Sequence, residues 1–103
     1  MKHFLIKYRF TNGTQEQWHK DISDFIAALD NDADLSGRIS YRCMKGRDDP
    51  AYYHLASAVD DQAIKSLQER EFFKRYTEKT KSVAGEKVEV VPLEMIDETK
   101  RSA

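Results

Sequence analysis

Residues 51–96, AYYHLASAVDDQAIKSLQEREFFKRYTEKTKSVAGEKVEVVPLEMI, decide the fold, because an uncharged strand, an amphipathic helix and a final strand follow one another there with almost no linker. A strand with one face in water alternates apolar and polar residues with a period of two. Neither 52–59 nor 88–93 separates an apolar face from a charged one, so both faces of their sheet are expected to be covered. The helix between them starts after Asp60 or Asp61 and places Ala63, Ile64, Leu67, Phe72, Phe73 and Tyr76 on its apolar side. The step from Leu67 to Phe72 skips a beat of the 3.6-residue period, which predicts a kink or break near 69–71. Gly85 stops the helix. Residues 87–96 read as the last strand, and Pro92, which cannot donate to a ladder, favours an edge or a bulge there.

Upstream, Phe4, Ile6, Tyr8 and Phe10 alternate with His3, Leu5, Lys7 and Arg9 over 3–10, a strand with one fully apolar face. Thr11-Asn12-Gly13 turns the chain, and Thr14 followed three residues later by Gln17 fits a capping box. Trp18, Ile22, Phe25, Ile26 and Leu29 share one stripe of the next helix, which ends through Asp30-Asn31-Asp32 and Gly37. A second strand over 38–45 puts Ile39, Tyr41 and Cys43 on one face, and the turn residues of 46–50 return 52–59 antiparallel to it.

The order strand, helix, strand, strand, helix, strand is that of an α+β, ferredoxin-like domain with a four-stranded antiparallel sheet. One domain is expected over 1–96, with a polar tail at 97–103. Both helices of such a domain cover one sheet face. The other would carry Leu5, Tyr53, Leu55 and Val59, or Tyr52, Ala56 and Ala58, depending on register. Either set exceeds the roughly 300–600 Å² of contiguous apolar surface that a monomer usually tolerates. The expected solution is a homodimer, two sheets face to face in a dimeric α/β barrel with helices outside.

Composition narrows the partners. The 103 residues carry a formal charge of −1, so neither nucleic acid nor an anionic membrane is expected, since both call for a basic excess. The lysines and arginines of 65–87 alternate with Glu69, Glu71, Glu78 and Glu86 as a solvated helix face does. Cys43 has no partner for an intrachain disulfide and is too few for structural zinc, which makes a cytoplasmic protein with no metal the expectation. In an apolar strand with no histidine beside it, Cys43 reads as a small buried hydrophobe. MKHFLIKYRF is too short, and too interrupted by Lys7 and Arg9, for a signal peptide or a membrane span.

Beyond this pattern, DDQAIKSL (60–67) after an apolar strand, REFFKRY (70–76) and the closing GEKVEVVPLE (85–94) resemble the antibiotic biosynthesis monooxygenase-like family of dimeric α/β barrels, quinol monooxygenase type, over nearly the whole chain. That resemblance implies a small cofactor-independent monooxygenase, an oxidoreductase acting on a phenolic or quinol substrate, with no cofactor. Isomerase-type relatives are the alternative within the superfamily. Haem-degrading relatives carry an Asn, Trp and His triad with the histidine on the second helix. This chain has no histidine over 65–87, with Leu67 near that place and Ala58 where relatives often carry Trp or Tyr, while Asn12 and Trp18 do not match residue by residue.

Cofactor-free oxygenation needs a base to ionise a phenol in a water-poor pocket and a donor to stabilise the anion. His54, mid-strand among uncharged residues, is the candidate catalytic base, with room beside it from Ala56 and Ala58. Trp18, Phe25, Phe72, Phe73 and Tyr76 are candidate substrate-binding walls, and Arg38 or Arg42 a candidate oxyanion donor. A phenol near His54, from Tyr41, Tyr52 or Tyr53, would make a proton relay. The competing reading of the same residues is structural: a hydrogen-bonded core histidine, an aromatic stripe that is simply core, and arginines paired at the dimer rim. His3 and His19 lack metal-ligand spacing. The second function class is a non-catalytic dimeric module that binds a small aromatic or apolar ligand, and a cavity beside His54 would separate the two.

Overall fold

A computed structural model describes residues 1–100, so the end of the expected polar tail, 101–103, lies outside the described residues. The elements run β1 (Lys2–Arg9), α1 (Gln15–Asn31), β2 (Ile39–Lys45), β3 (Ala51–Ala58), α2 (Asp61–Gln68), α3 (Glu71–Val83) and β4 (Glu89–Leu93). The four strands form one sheet in the order β2-β3-β1-β4, and every neighbouring pair is antiparallel. This is the ferredoxin-like arrangement expected from the sequence, with the second helix divided.

Local chemistry sets the helix ends. The Thr14 hydroxyl accepts from the Gln17 backbone N–H at 3.3 Å, but the Gln17 amide donates to Asp21 at 3.0 Å instead of turning back, so only half of the capping box forms. Asp60 caps α2, accepting from the Ala63 N–H at 2.9 Å. The skipped beat after Leu67 is a true break, and no side chain caps α3. The break is pinned from outside, by the Arg70 guanidinium donating to Asp32 at 2.7 and 3.3 Å and to Asp34 at 3.1 Å at the end of α1. At the far end of α3, Glu86 N–H reaches the Lys81 carbonyl at 2.8 Å and Gly85 N–H reaches Ser82 at 3.3 Å. That pairing is a Schellman motif, with Gly85 in the left-handed region at φ +62°.

The last strand is shorter than expected, ending at Leu93 rather than at 96. β4 is an edge strand that pairs only with β1, which suits Pro92, since the missing N–H costs nothing on the side with no neighbour.

Register assigns the faces. Leu5 stands opposite Leu55 and Val91, and Tyr8 opposite Tyr52. The helix-covered face therefore carries Ile6, Tyr8, Tyr41, Cys43, Tyr52 and His54. Of the two sets left open by the sequence, Leu5, Tyr53, Leu55 and Val59 lie on the far face, joined by Met44, Val91 and Leu93. No element of this chain packs there, and Met44, Tyr53, Val59 and Leu93 remain 38–47% exposed. The core lies between sheet and helices, where Trp18, Ile22, Phe25 and Leu29 of α1 meet Tyr8, Leu35, Tyr52 and Tyr76. Among the described residues no helix is long and apolar enough to cross a membrane.

A Cβ added at Gly85 would lie 3.0 Å from the Thr11 hydroxyl on a backbone that L-residues avoid. Gly85→Ala is expected to lower the unfolding free energy by about 1–2 kcal/mol, read as a lower urea midpoint with an unchanged slope; an unmoved midpoint would mean that this cap adopts another conformation.

Candidate functional site

Tyrosines from three elements converge on His54. Its ring is fully buried in mid-β3, where alternation turns it toward the helices between Ile6 of β1 and Cys43 of β2. Nε2 lies 2.8 Å from the Tyr8 hydroxyl, which also receives the Trp18 indole N–H at 2.8 Å. On the opposite edge, Nδ1 is hydrogen-bonded with the Tyr41 hydroxyl and lies 3.2 Å from that of Tyr76, and the two hydroxyls are 3.0 Å apart. Phe25 stacks on Tyr76 at 3.8 Å between ring centroids and meets Tyr41 edge-on. The phenols are thus held by packing as well as by hydrogen bonds.

Burial sets the protonation states. Loss of water holds the His54 imidazole down at about 4 and pushes the Tyr8, Tyr41 and Tyr76 phenols above their usual range. At neutral pH the cluster is uncharged, a neutral imidazole among protonated phenols.

Beside it lies a cavity of about 450 Å³, between the sheet and α2 with α3. Ile6, Ile39, Ala58, Leu67 and Phe73 are among its apolar walls, and both Tyr41 and Tyr76 face it. His54 does not line it. The small side chains of Ala56 and Ala58 and the break between α2 and α3 leave this room open. A larger hollow of about 720 Å³ lies between the start of β1 and the segment after β4, near Met1, His3 and Met95. None of its lining residues is buried, so it offers no desolvated group for chemistry.

The expected site residues divide accordingly. Phe73 and Tyr76 line the cavity. Trp18 and Phe25 are core, one through its bond to Tyr8 and the other through its stack on Tyr76, and neither forms a wall of the cavity. Phe72 packs near Phe25 and borders a shallow surface depression instead. The expectation for the arginines needs correction. Arg42 alternates with Tyr41 and Cys43 and so belongs to the far face of the sheet, while Arg38 precedes β2 and donates to the Asp34 carbonyl at 3.0 Å and to Asp60 at 3.4 Å. Neither lines the cavity, so the oxyanion role expected of them has no support in the geometry. His54, expected to touch the substrate, stands one layer behind it. Tyr8 was not singled out by the sequence, because only the β1–β3 register brings it against His54. His19 pairs with Tyr52 at 2.7 Å, and His3 with Ser57 at 2.7 Å. Cys43 is half-buried, and burial pushes its thiol up to about 12, so it is inert at neutral pH. Among the described residues no group of His, Cys, Asp and Glu is placed to hold a metal ion.

The architecture is shared with solved structures. A variant of SnoaB, a cofactor-independent oxygenase from Streptomyces nogalater, superposes with a TM-score of 0.77 at 13% identity, over 97% of each chain. A structure named antibiotic biosynthesis monooxygenase gives 0.75 at 11% identity, over 94% of this chain and all of the other. The fold is that of the antibiotic biosynthesis monooxygenases. A Mycobacterium tuberculosis protein shares it, with a TM-score of 0.76 at 11% identity over 96% of this chain and 98% of its own. Identities this low speak to the fold alone. No protein-family model matches the sequence, and no curated protein matches it.

The buried imidazole has a consequence in pH. Its folded value of about 4 lies below the ordinary 6.5, so the unfolded chain takes up the proton first. The stability this creates is complete above about 6.5 and is lost as pH falls toward 4. The urea stability difference between the native chain and His54→Gln is expected to shrink by on the order of 3 kcal/mol between pH 7 and pH 4, and a pH-independent difference would contradict a neutral buried His54.

Proposed function

We propose that the protein is a small cofactor-independent monooxygenase-like enzyme that takes a phenolic or quinol ring into the cavity between sheet and helices. The observation that carries this is the paired Tyr41 and Tyr76 hydroxyls, backed by His54, in a largely apolar cavity whose other polar lining residues are Ser57, Gln68, Thr77, Thr80 and Lys81. An aromatic ring fits the apolar walls, and its oxygen fits the phenol pair. These hydrogen bonds hold the ring as an anion that has left its proton in bulk water, and its raised electron density lets it reduce dioxygen. For a hydroquinone the reaction balances as hydroquinone plus dioxygen giving a hydroxyquinone and water, with the ring supplying all four electrons. His54 acts through the tyrosines, holding their hydroxyls in place.

Two observations favour the second reading, a binding module without turnover: His54 does not touch the cavity, and its basicity is suppressed. Titration with a methyl-substituted hydroquinone, followed by an oxygen electrode, separates the two. Saturable binding with oxygen uptake above the uncatalysed rate is expected, with kcat falling roughly 10²-fold or more in Tyr76→Phe. Binding without oxygen uptake would establish the module, and no binding would remove both.

The far face of the sheet supports a homodimer, with a second copy covering Leu5, Leu55, Val91 and their neighbours. Light scattering is expected to give twice the chain mass, falling to a single chain in Leu5→Asp with the circular dichroism retained. A monomeric native chain would leave that apolar face to another partner.

A further inference from the structure

The hydrogen bonds around His54 have a direction, and Trp18 sets it. An indole N–H can only donate, so the Tyr8 oxygen accepts from Trp18 at 2.8 Å. Tyr8 has one proton of its own, and its other polar neighbour is His54 Nε2 at 2.8 Å. Of the two side chains hydrogen-bonded to this hydroxyl only Nε2 can accept, so this proton goes to Nε2. A neutral imidazole that accepts at Nε2 carries its proton at Nδ1.

That choice fixes what the cavity meets. Nδ1 and the Tyr41 and Tyr76 oxygens form a triangle. With a proton on Nδ1, the triangle holds three protons. One is given by Nδ1 to a hydroxyl oxygen and one by a hydroxyl to the other hydroxyl. The third has no acceptor in the triangle, and both tyrosines line the cavity. With the opposite tautomer, Nδ1 would accept one hydroxyl proton and the second hydroxyl would donate to the first. The cavity would then meet only lone pairs, and the Tyr8 proton would face an N–H.

We propose that Trp18 and Tyr8 are positioning residues that lock His54 as its Nδ1–H tautomer, making the Tyr41–Tyr76 pair a hydrogen-bond donor to a ligand's acceptor oxygen: a quinone or ketone carbonyl, or a phenolate. This rests on the cavity being the ligand site, and it specifies that the site recognises an acceptor rather than taking a proton from its ligand.

The test reads the tautomer directly. In protein labelled with ¹⁵N-histidine, His54, assigned by its loss in His54→Gln, is expected to show an unprotonated Nε2 and a protonated Nδ1. Tyr8→Phe removes the donor to Nε2 while keeping the ring, and is expected to move His54 toward the Nε2–H form; Trp18→Phe is expected to do the same, and Tyr8→Phe carries the test alone if that variant does not fold. A native Nε2–H form, or a tautomer unmoved in Tyr8→Phe, overturns the proposal. Acetophenone and α-methylstyrene then probe the cavity, being alike in shape and differing in the acceptor oxygen. The ratio of their affinities is expected to favour acetophenone in the native chain by roughly 3- to 10-fold more than in Tyr8→Phe, the worth of one hydrogen bond. An equal ratio overturns the donor role with the cavity intact, whereas failure of both probes to bind removes the cavity reading and the donor role with it.

Discussion

The imidazole of His54 sits where water cannot reach it, and three phenols supply the hydrogen bonds that water would have made. A buried imidazole without partners would cost several kcal/mol, so β1, β2, β3 and α3 must come together with little freedom: Tyr8, Tyr41, His54 and Tyr76 each arrive from a different element. The aromatic packing around them follows. Trp18 stacks on Tyr76 at 5.6 Å and reaches Tyr8 with its indole nitrogen, so α1 joins the same network. One polar cluster thereby specifies how α1 and α3 sit on the sheet.

The network also gives the cavity a polar spot that is itself uncharged. Burial keeps the imidazole neutral and the phenols protonated, and the positive side chains expected to stabilise an anion are held elsewhere. Arg38 binds Asp60, and Arg42 belongs to the far face of the sheet. Whatever enters the cavity meets mostly apolar walls and the phenol oxygens, with Lys81 as the charged side chain among the lining residues. Selectivity at the phenol pair comes from shape and from one or two hydrogen bonds.

Much of the fold was legible because it rests on periodicity. Strand alternation, the stripe on α1, the skipped beat at Leu67 and the glycine after α3 are one-dimensional signals with a local physical cause, and each corresponds to an observed feature. The length of β4 was not legible, since where an edge strand stops depends on its single partner. The site was legible only in part. His54 stood out as a histidine among uncharged residues, and Phe73 and Tyr76 as aromatic positions on the second helix. Tyr8 was hidden, because a tyrosine on an apolar strand face looks the same whether or not register sets it against a histidine. The arginines were misplaced for the complementary reason: proximity of strands does not tell which face a side chain occupies, and for Arg42 that depends on its alternation with Tyr41.

The account stands on the cavity being occupied by a ring whose oxygen meets the phenol pair. The most direct measurement is a crystal structure of the protein soaked with a small hydroquinone. The account predicts ring density between Ile39, Leu67 and Phe73, with an oxygen about 2.7 Å from the Tyr41 or Tyr76 hydroxyl. A cavity closed by its own side chains, or ligand found only in the open hollow near Met1 and Met95, would contradict it.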